Sequence, residues 1–208
     1  MEFDFLVDDL IKLLSSMEVG AERIQEIVVS LRTFSRLDEA ELKAVDIYQG
    51  IDSTLSILEH RLKTRANHVQ IQVLKDYDNL PLVECYAGQL NQVFMNILSN
   101  AIDALEEPLI QGKLSHKQPQ IRISTQQLNA QQIVIRIIDN GLGVPEQVRQ
   151  KLFDPFFTTK DVGKGTGLGL SISYQIITER HGGSLECVSS LEGGAELVIT
   201  IPVAQPKQ

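Results

Sequence analysis

The chain has 208 residues, of which 43% are hydrophobic and 22% charged, so it can bury a real core in one or two domains and does not read as a disordered protein. A net charge of -8 argues against a nucleic-acid binder, which needs a basic face against phosphates. No apolar run reaches the ~18 residues that cross a bilayer. Met1-Glu2-Phe3-Asp4 is acidic where a signal peptide is basic, and the two cysteines lack metal-ligand spacing, so free thiols and a cytoplasmic location are expected.

From Phe5 to Ala44 there is no Pro and one Gly, Gly20. Val7, Leu10, Leu14, Met17, Ala21, Ile24, Val28 and Leu31 alternate spacings of three and four, which is a heptad seam. Further apolar residues (Ile11, Ile27, Phe34) widen the surface beyond one seam, so this helix of ~35 residues, about 50 Å long, predicts a helical bundle. The domain division expected is therefore 1–44 for the bundle helix and 45–208 for the remainder.

After Val45 the texture becomes mixed. Ile47 to Ala66 reads as a helix, Val69 to Val73 alternates as a strand, and Leu82-Val83 ends another. Tyr86 to Glu107 reads as a helix stopped by Pro108, followed by a polar loop from Gln111 to Pro119. Ile121–Ile123 and Ile133–Ile138 predict neighbouring strands joined near Asn129-Ala130. Pro145 opens a short helix ending near Leu152, and a helix from Thr166 or Gly167 to about Arg180 is closed by Gly182-Gly183. Strands near Ser184–Val188 and Ala195–Ile201 finish the chain. The pattern predicts an α/β fold, a two-layer sandwich with helices on one face of a mixed or antiparallel sheet.

Four short blocks carry the chemistry. On the helix from Tyr86, no residue between Cys85 and Ile102 is charged, yet Gln89, Gln92, Asn96, Asn100, Asp103 and Glu107 form one stripe. A solvent face would carry Glu, Lys and Arg; a stripe of amides suits a cleft wall that coordinates without adding charge, and an Asn carbonyl is a competent ligand for Mg²⁺. Asp139 ends an apolar strand and precedes Asn140-Gly141-Leu142-Gly143, so its carboxylate can accept from an exocyclic amine while bare backbone admits a flat ring. Phe153-Asp154-Pro155-Phe156-Phe157-Thr158-Thr159-Lys160 combines docking aromatics with a cation, and the glycines after it suggest a lid. Gly165-Thr166-Gly167-Leu168-Gly169-Leu170 opens a helix, whose free N–H groups and positive dipole end favour phosphate. Lys151, Lys160 and Lys164 lie near the last two blocks and would reverse the acidic field there. Together the blocks read as an ATP cradle.

These blocks resemble the N, G1, F and G2 boxes of the catalytic domain of sensor histidine kinases, within the ATPase superfamily shared with DNA gyrase, Hsp90 and MutL. The likeness covers Val45 to Val203, and the heptad helix is similar to the second helix of the kinase dimerisation and phosphotransfer domain. The resemblance implies that Asn100 binds Mg²⁺, Asn96 supports the phosphates and Asp139 holds the adenine amine in a pocket shaped by Gly141 and Gly143. It also implies that Lys160 reaches the phosphates, while Gly165, Thr166, Gly167, Leu168 and Gly169 admit the triphosphate. The family passes the γ-phosphoryl of ATP to a histidine and then to an aspartate on a response-regulator receiver domain, working as a homodimer through its bundle.

Two positions depart from that pattern. Where many members carry a basic residue three positions after the second Asn, this chain has Asp103. The acceptor histidine is also missing: His60, His68, His116 and His181 each lack an acidic neighbour after them and lie outside the heptad helix, so surface or helix-end roles are expected. The chain is thus expected to be a fragment that begins after the acceptor helix and binds ATP without phosphorylating itself. The alternatives are an ATPase or serine kinase of the same superfamily, and a non-catalytic nucleotide-binding or dimerisation module.

Overall fold

The computed structural model describes residue 17 and residues 41–63, 70–110, 118–160, 165–189 and 193–205. The bundle helix expected over 5–44 lies outside the described residues, apart from Met17, which is helical, and its final positions. There Lys43 and Ala44 belong to a strand, β1 (Lys43–Val45), paired antiparallel with β3 (Val83–Cys85). The pairing sets Val45 opposite the fully buried Val83.

A five-stranded sheet forms one layer. Its spatial order is β2 (Gln72–Tyr77), β4 (Gln120–Asn129), β5 (Gln132–Asp139), β7 (Ala195–Pro202) and β6 (Ser184–Ser189). β2 runs parallel to β4 and every other pair is antiparallel, so the sheet is mixed, as the sequence predicts. Alternation does the sorting. Ile121 and Ile123 of β4, Ile133, Ile135 and Ile137 of β5, and Ile199 and Ile201 of β7 are all buried. Burying each such side chain is worth roughly 1.5–3 kcal/mol. Intervening positions carry pairs such as Arg136 and Glu196, 2.7 Å apart. The β2 strand begins three residues later than expected, because the backbone N–H of Ile71 donates to Leu62 O while pairing with β4 starts at Gln72.

Helices form the second layer. α1 (Ile47–Ile57) is capped by the Asp46 carboxylate, which accepts from Tyr48 N at 2.9 Å. The single helix expected to Ala66 breaks at Leu58 into a further turn, α2 (Glu59–Leu62). The buried row Ile47, Ile51, Leu55, Leu58 and Leu62 keeps its face through the break. α3 (Ala87–Ile110) is the central helix and buries Leu90, Phe94, Ile97, Leu98, Ile102 and Leu105. It does not stop at Pro108: the ring removes one donor near the helix end, and the helix runs on to Ile110. α4 (Glu146–Arg149) follows Pro145. α5 (Gly169–Gln175) continues as a wider π turn, Ile176–Arg180.

His181 accounts for that widening. Its backbone N–H and its ring Nδ1 both reach Ile176 O, at 3.2 and 2.9 Å, and Nε2 accepts from Tyr86 N at 3.2 Å. An acceptor at Nε2 places the proton on Nδ1, so the ring is neutral. His181 therefore has the expected helix-end role, but it is fully buried and not a surface residue. Among the other histidines, His60 is exposed, while His68 and His116 lie outside the described residues.

Candidate functional site

The amide stripe of α3 divides in two. Gln89 is buried, and the Oε1 atoms of Gln89 and Gln92 have no hydrogen-bond partner among the described residues. One turn on, the Asn96 amide Nδ2 donates to Gly169 O at 2.9 Å and to Ser173 Oγ at 3.1 Å. That fixes the start of α5 against α3. Asn100 lies one turn further, and its Oδ1 accepts from Lys160 Nζ at 3.4 Å. Lys160 also pairs with Asp103 Oδ2, so a side chain from the F-like segment lies directly on the amide helix.

Asp139 ends β5 with only 6% of its surface exposed. Gly141 N and Ala195 N donate to its Oδ1, at 2.9 and 3.3 Å, which leaves Oδ2 for another donor. Burial pushes its carboxyl above the ordinary range, against the pull of those backbone N–H groups. Asn140 braces the turn: its Oδ1 accepts from Gln120 N and its Nδ2 donates to Gln118 O, both at 2.8 Å. Gly141 lies close to α3, since a Cβ there would sit 2.8 Å from Ala104 O. Pro108 has no N–H to give that carbonyl. Gly143 lies against Gly194, whose own φ is +91° and whose Cβ would fall 2.0 Å from the Asp139 carbonyl. Only glycine fits there.

The F-like segment and the helix start meet through backbone. Gly167 has φ +68°, and a Cβ on it would meet the Phe156 carbonyl carbon at 2.4 Å. Phe156 itself has φ +66° and is 74% exposed, while Phe153 packs against Tyr174 with ring centroids 5.2 Å apart. Gly165 runs beside Lys160, its absent Cβ leaving room for Thr158 Oγ1 and the lysine stem. Thr166 Oγ1 accepts from Leu168 N at 3.4 Å, just before the helix starts. Of the hinge expected over Val162-Gly163-Lys164-Gly165, only Gly165 is among the described residues.

All four blocks thus share one region. The amide helix touches the lysine of the third block, the first turn of the fourth and the glycine loop of the second. The donor set suits a magnesium nucleotide. Among the described residues no three His, Cys, Asp or Glu side chains gather to hold a metal alone, and the Asn100 carbonyl is a competent hard-cation ligand. A separate groove of about 690 Å³ runs beside α1, α2 and β2, lined by Asp52, Leu55 and Lys75, and includes no residue of the four blocks.

Sequence reasoning missed Arg61. From α2 its guanidinium reaches Asp103 Oδ1 at 2.5 Å and Glu106 Oε2 at 2.6 Å, contacts between residues 42 and 45 positions apart. Burial works against its charge, but the two carboxylates outweigh that and hold its pKa above the ordinary value. No local spacing announces such a pair. Gly194 and the burial of His181 were missed for the same reason, although His181-Gly182-Gly183 does mark a helix end.

Comparison with known proteins agrees with this geometry. Residues 86–205 match the family described as histidine kinase-, DNA gyrase B-, and HSP90-like ATPase. The two-component sensor PprA of Pseudomonas aeruginosa is 32% identical over 198 residues, covering 94% of this chain and 20% of that protein. The signal transduction histidine-protein kinase AtoS of Escherichia coli is 34% identical over 184 residues, covering 88% of this chain and 27% of its own length. The chain therefore spans only about a fifth to a quarter of such relatives. Among solved structures, the catalytic domain of histidine kinase ThkA superposes with TM-score 0.65 at 28% identity, over 79% of this chain and 97% of that one. ThkA in complex with the response regulator protein TrrA gives 0.67 at 25% identity, over 88% of this chain and 48% of that one. With its mixed sheet, its amide helix and its buried strand-end aspartate, the chain belongs to the histidine kinase-, DNA gyrase B- and HSP90-like ATPase family, as a catalytic ATP-binding domain of sensor histidine kinase type.

Proposed function

We propose that this domain holds Mg·ATP and presents its γ-phosphoryl group to a histidine that is not one of this chain's four, for relay to an aspartate of a response-regulator receiver domain. Asp139 takes the adenine amine on Oδ2, with Gly141 and Gly143 beside the ring. Asn100 supplies the metal's protein ligand, and Asn96 keeps the start of α5, with the loop Gly165 to Leu168 that leads into it, against the phosphates. Lys160 neutralises phosphate charge. Magnesium held at Asn100 would supply positive charge to offset the negative charge of the transferring phosphoryl group. Phosphoryl transfer asks a protein mainly for position and charge balance, and these residues supply both.

The observation that supports this reading best is the meeting of Lys160 with Asn100 and of Asn96 with Gly169, which joins three blocks at one place. Transfer is favoured over hydrolysis because one turn before Asn96 stands Gln92, an amide that cannot deprotonate water. Dimerisation through the N-terminal helix expected from the sequence, and a receiver-domain partner, are proposed on the likeness to histidine kinases. Asp139→Asn tests the site: the variant loses one charge-assisted bond, and nucleotide affinity should fall by roughly 1.5–3 kcal/mol. An ADP titration unchanged from wild type would remove Asp139 from the site.

A further inference from the structure

Asp103 stands three residues after Asn100 and touches Lys160, so it lies beside any phosphate those residues would bind. A bare carboxylate there would oppose a polyanion in two ways. It would repel the phosphates, and it would keep the lysine for itself. Arg61 alters both effects. One Asp103 oxygen pairs with Arg61 and the other with Lys160, so the lysine can depart without leaving the carboxylate uncompensated. Glu106, one turn along the same helix, gives the guanidinium a second anchor at 2.6 Å. Arg61 is thus fixed by the protein before any ligand arrives.

We infer that Arg61 is a positioning residue of the nucleotide site: it holds and neutralises Asp103, so that Lys160 can exchange that carboxylate for the ligand's phosphates. The inference deepens the ATP-binding reading above and rests on it. Side chains of Arg61, Asp103 and Lys160 are each about one-third exposed, at 33%, 32% and 32%, so these pairs add little to fold stability, and the cluster stays within reach of a ligand. It also accounts for an acidic residue at a position where related kinases often carry a base. The cation comes from α2 instead, through space.

Calorimetry with ADP in magnesium, and with adenosine alone, tests this. Arg61→Gln leaves a negative charge beside the phosphates and should weaken ADP roughly tenfold, the scale of one unscreened charge at several ångströms. Adenosine should bind as before. Arg61→Gln with Asp103→Asn should recover most of the ADP loss. Equal losses for ADP and adenosine, or no recovery in the double variant, would overturn the inference. If Arg61→Gln loses its circular-dichroism signal, Asp103→Asn alone decides: it must bind ADP at least as tightly as wild type, and weaker binding refutes the role. A wild-type chain that takes up neither ligand would overturn the nucleotide reading itself, and that result shows before any variant is made.

Discussion

His181 shows how one side chain can serve the fold while lying at the edge of a functional helix. Burial lowers its pKa, so the folded protein keeps the ring neutral where the unfolded chain would protonate it. The unfolded state then binds more protons as pH falls. Stability from this residue is complete above pH about 6.5 and declines below it, by up to about 1.4 kcal/mol per pH unit. Urea unfolding at pH 7.5, 6.5 and 5.5 should show that decline, and His181→Gln should flatten it. Equal slopes in the two proteins would mean that His181 is not the titrating group. Asp139 has the opposite sign. Its raised pKa makes its contribution most favourable below pH about 3.8 and lost as pH rises through the folded value. Asp139→Asn keeps an acceptor for Gly141 and Ala195, so the nucleotide-free variant should melt no lower than wild type even though it binds ADP worse.

At the scale of elements, α3 and the sheet were legible because their periods are plain. The isoleucines of β4 and β5 alternate, and the α3 apolar residues recur every three or four positions. The N-, G1- and G2-like blocks were legible because Asn in a helix and glycine beside a strand end are poor structural choices with a chemical use. What stayed hidden depends on contacts distant in sequence. Neither the break at Leu58 nor the π turn carries a proline or glycine at its site, and Arg61 meets Asp103 across 42 residues. Pro108 misled for a different reason: it stands within three residues of the helix end, where a missing bond is tolerated. The junction between the F-like segment and α5 gives an element-scale prediction. Gly167→Ala combines a left-handed φ with a backbone clash against Phe156, and should cost about 1–3 kcal/mol. Differential scanning calorimetry should register a loss of several degrees, and an unchanged melting temperature would show that the contact is slack.

For the whole molecule, the division of labour is the main point. The sheet and its helices assemble every group assigned here to the nucleotide, whereas no described histidine is offered as a nucleophile: His60 is exposed on α2 and His181 is locked between Tyr86 and Ile176. None of the four histidines in the sequence is followed by an acidic residue, so incubation of this chain with Mg-ATP should leave it without acid-labile phosphate. Radiolabel that is stable to base but released by acid would show that the chain contains its own acceptor. No helix among the described residues is long and apolar enough to cross a membrane.

The close approach of Gly141 to the Ala104 carbonyl has a metric consequence. Asp139 and Asn100 would grip opposite ends of a single nucleotide, and this backbone contact would help to set the span between them. On the proposed reading it would act as a spacer gauge, with base at one end and triphosphate at the other. Because that span is written into main-chain atoms, side-chain drift around the cleft can retune affinity while the distance being measured stays constant.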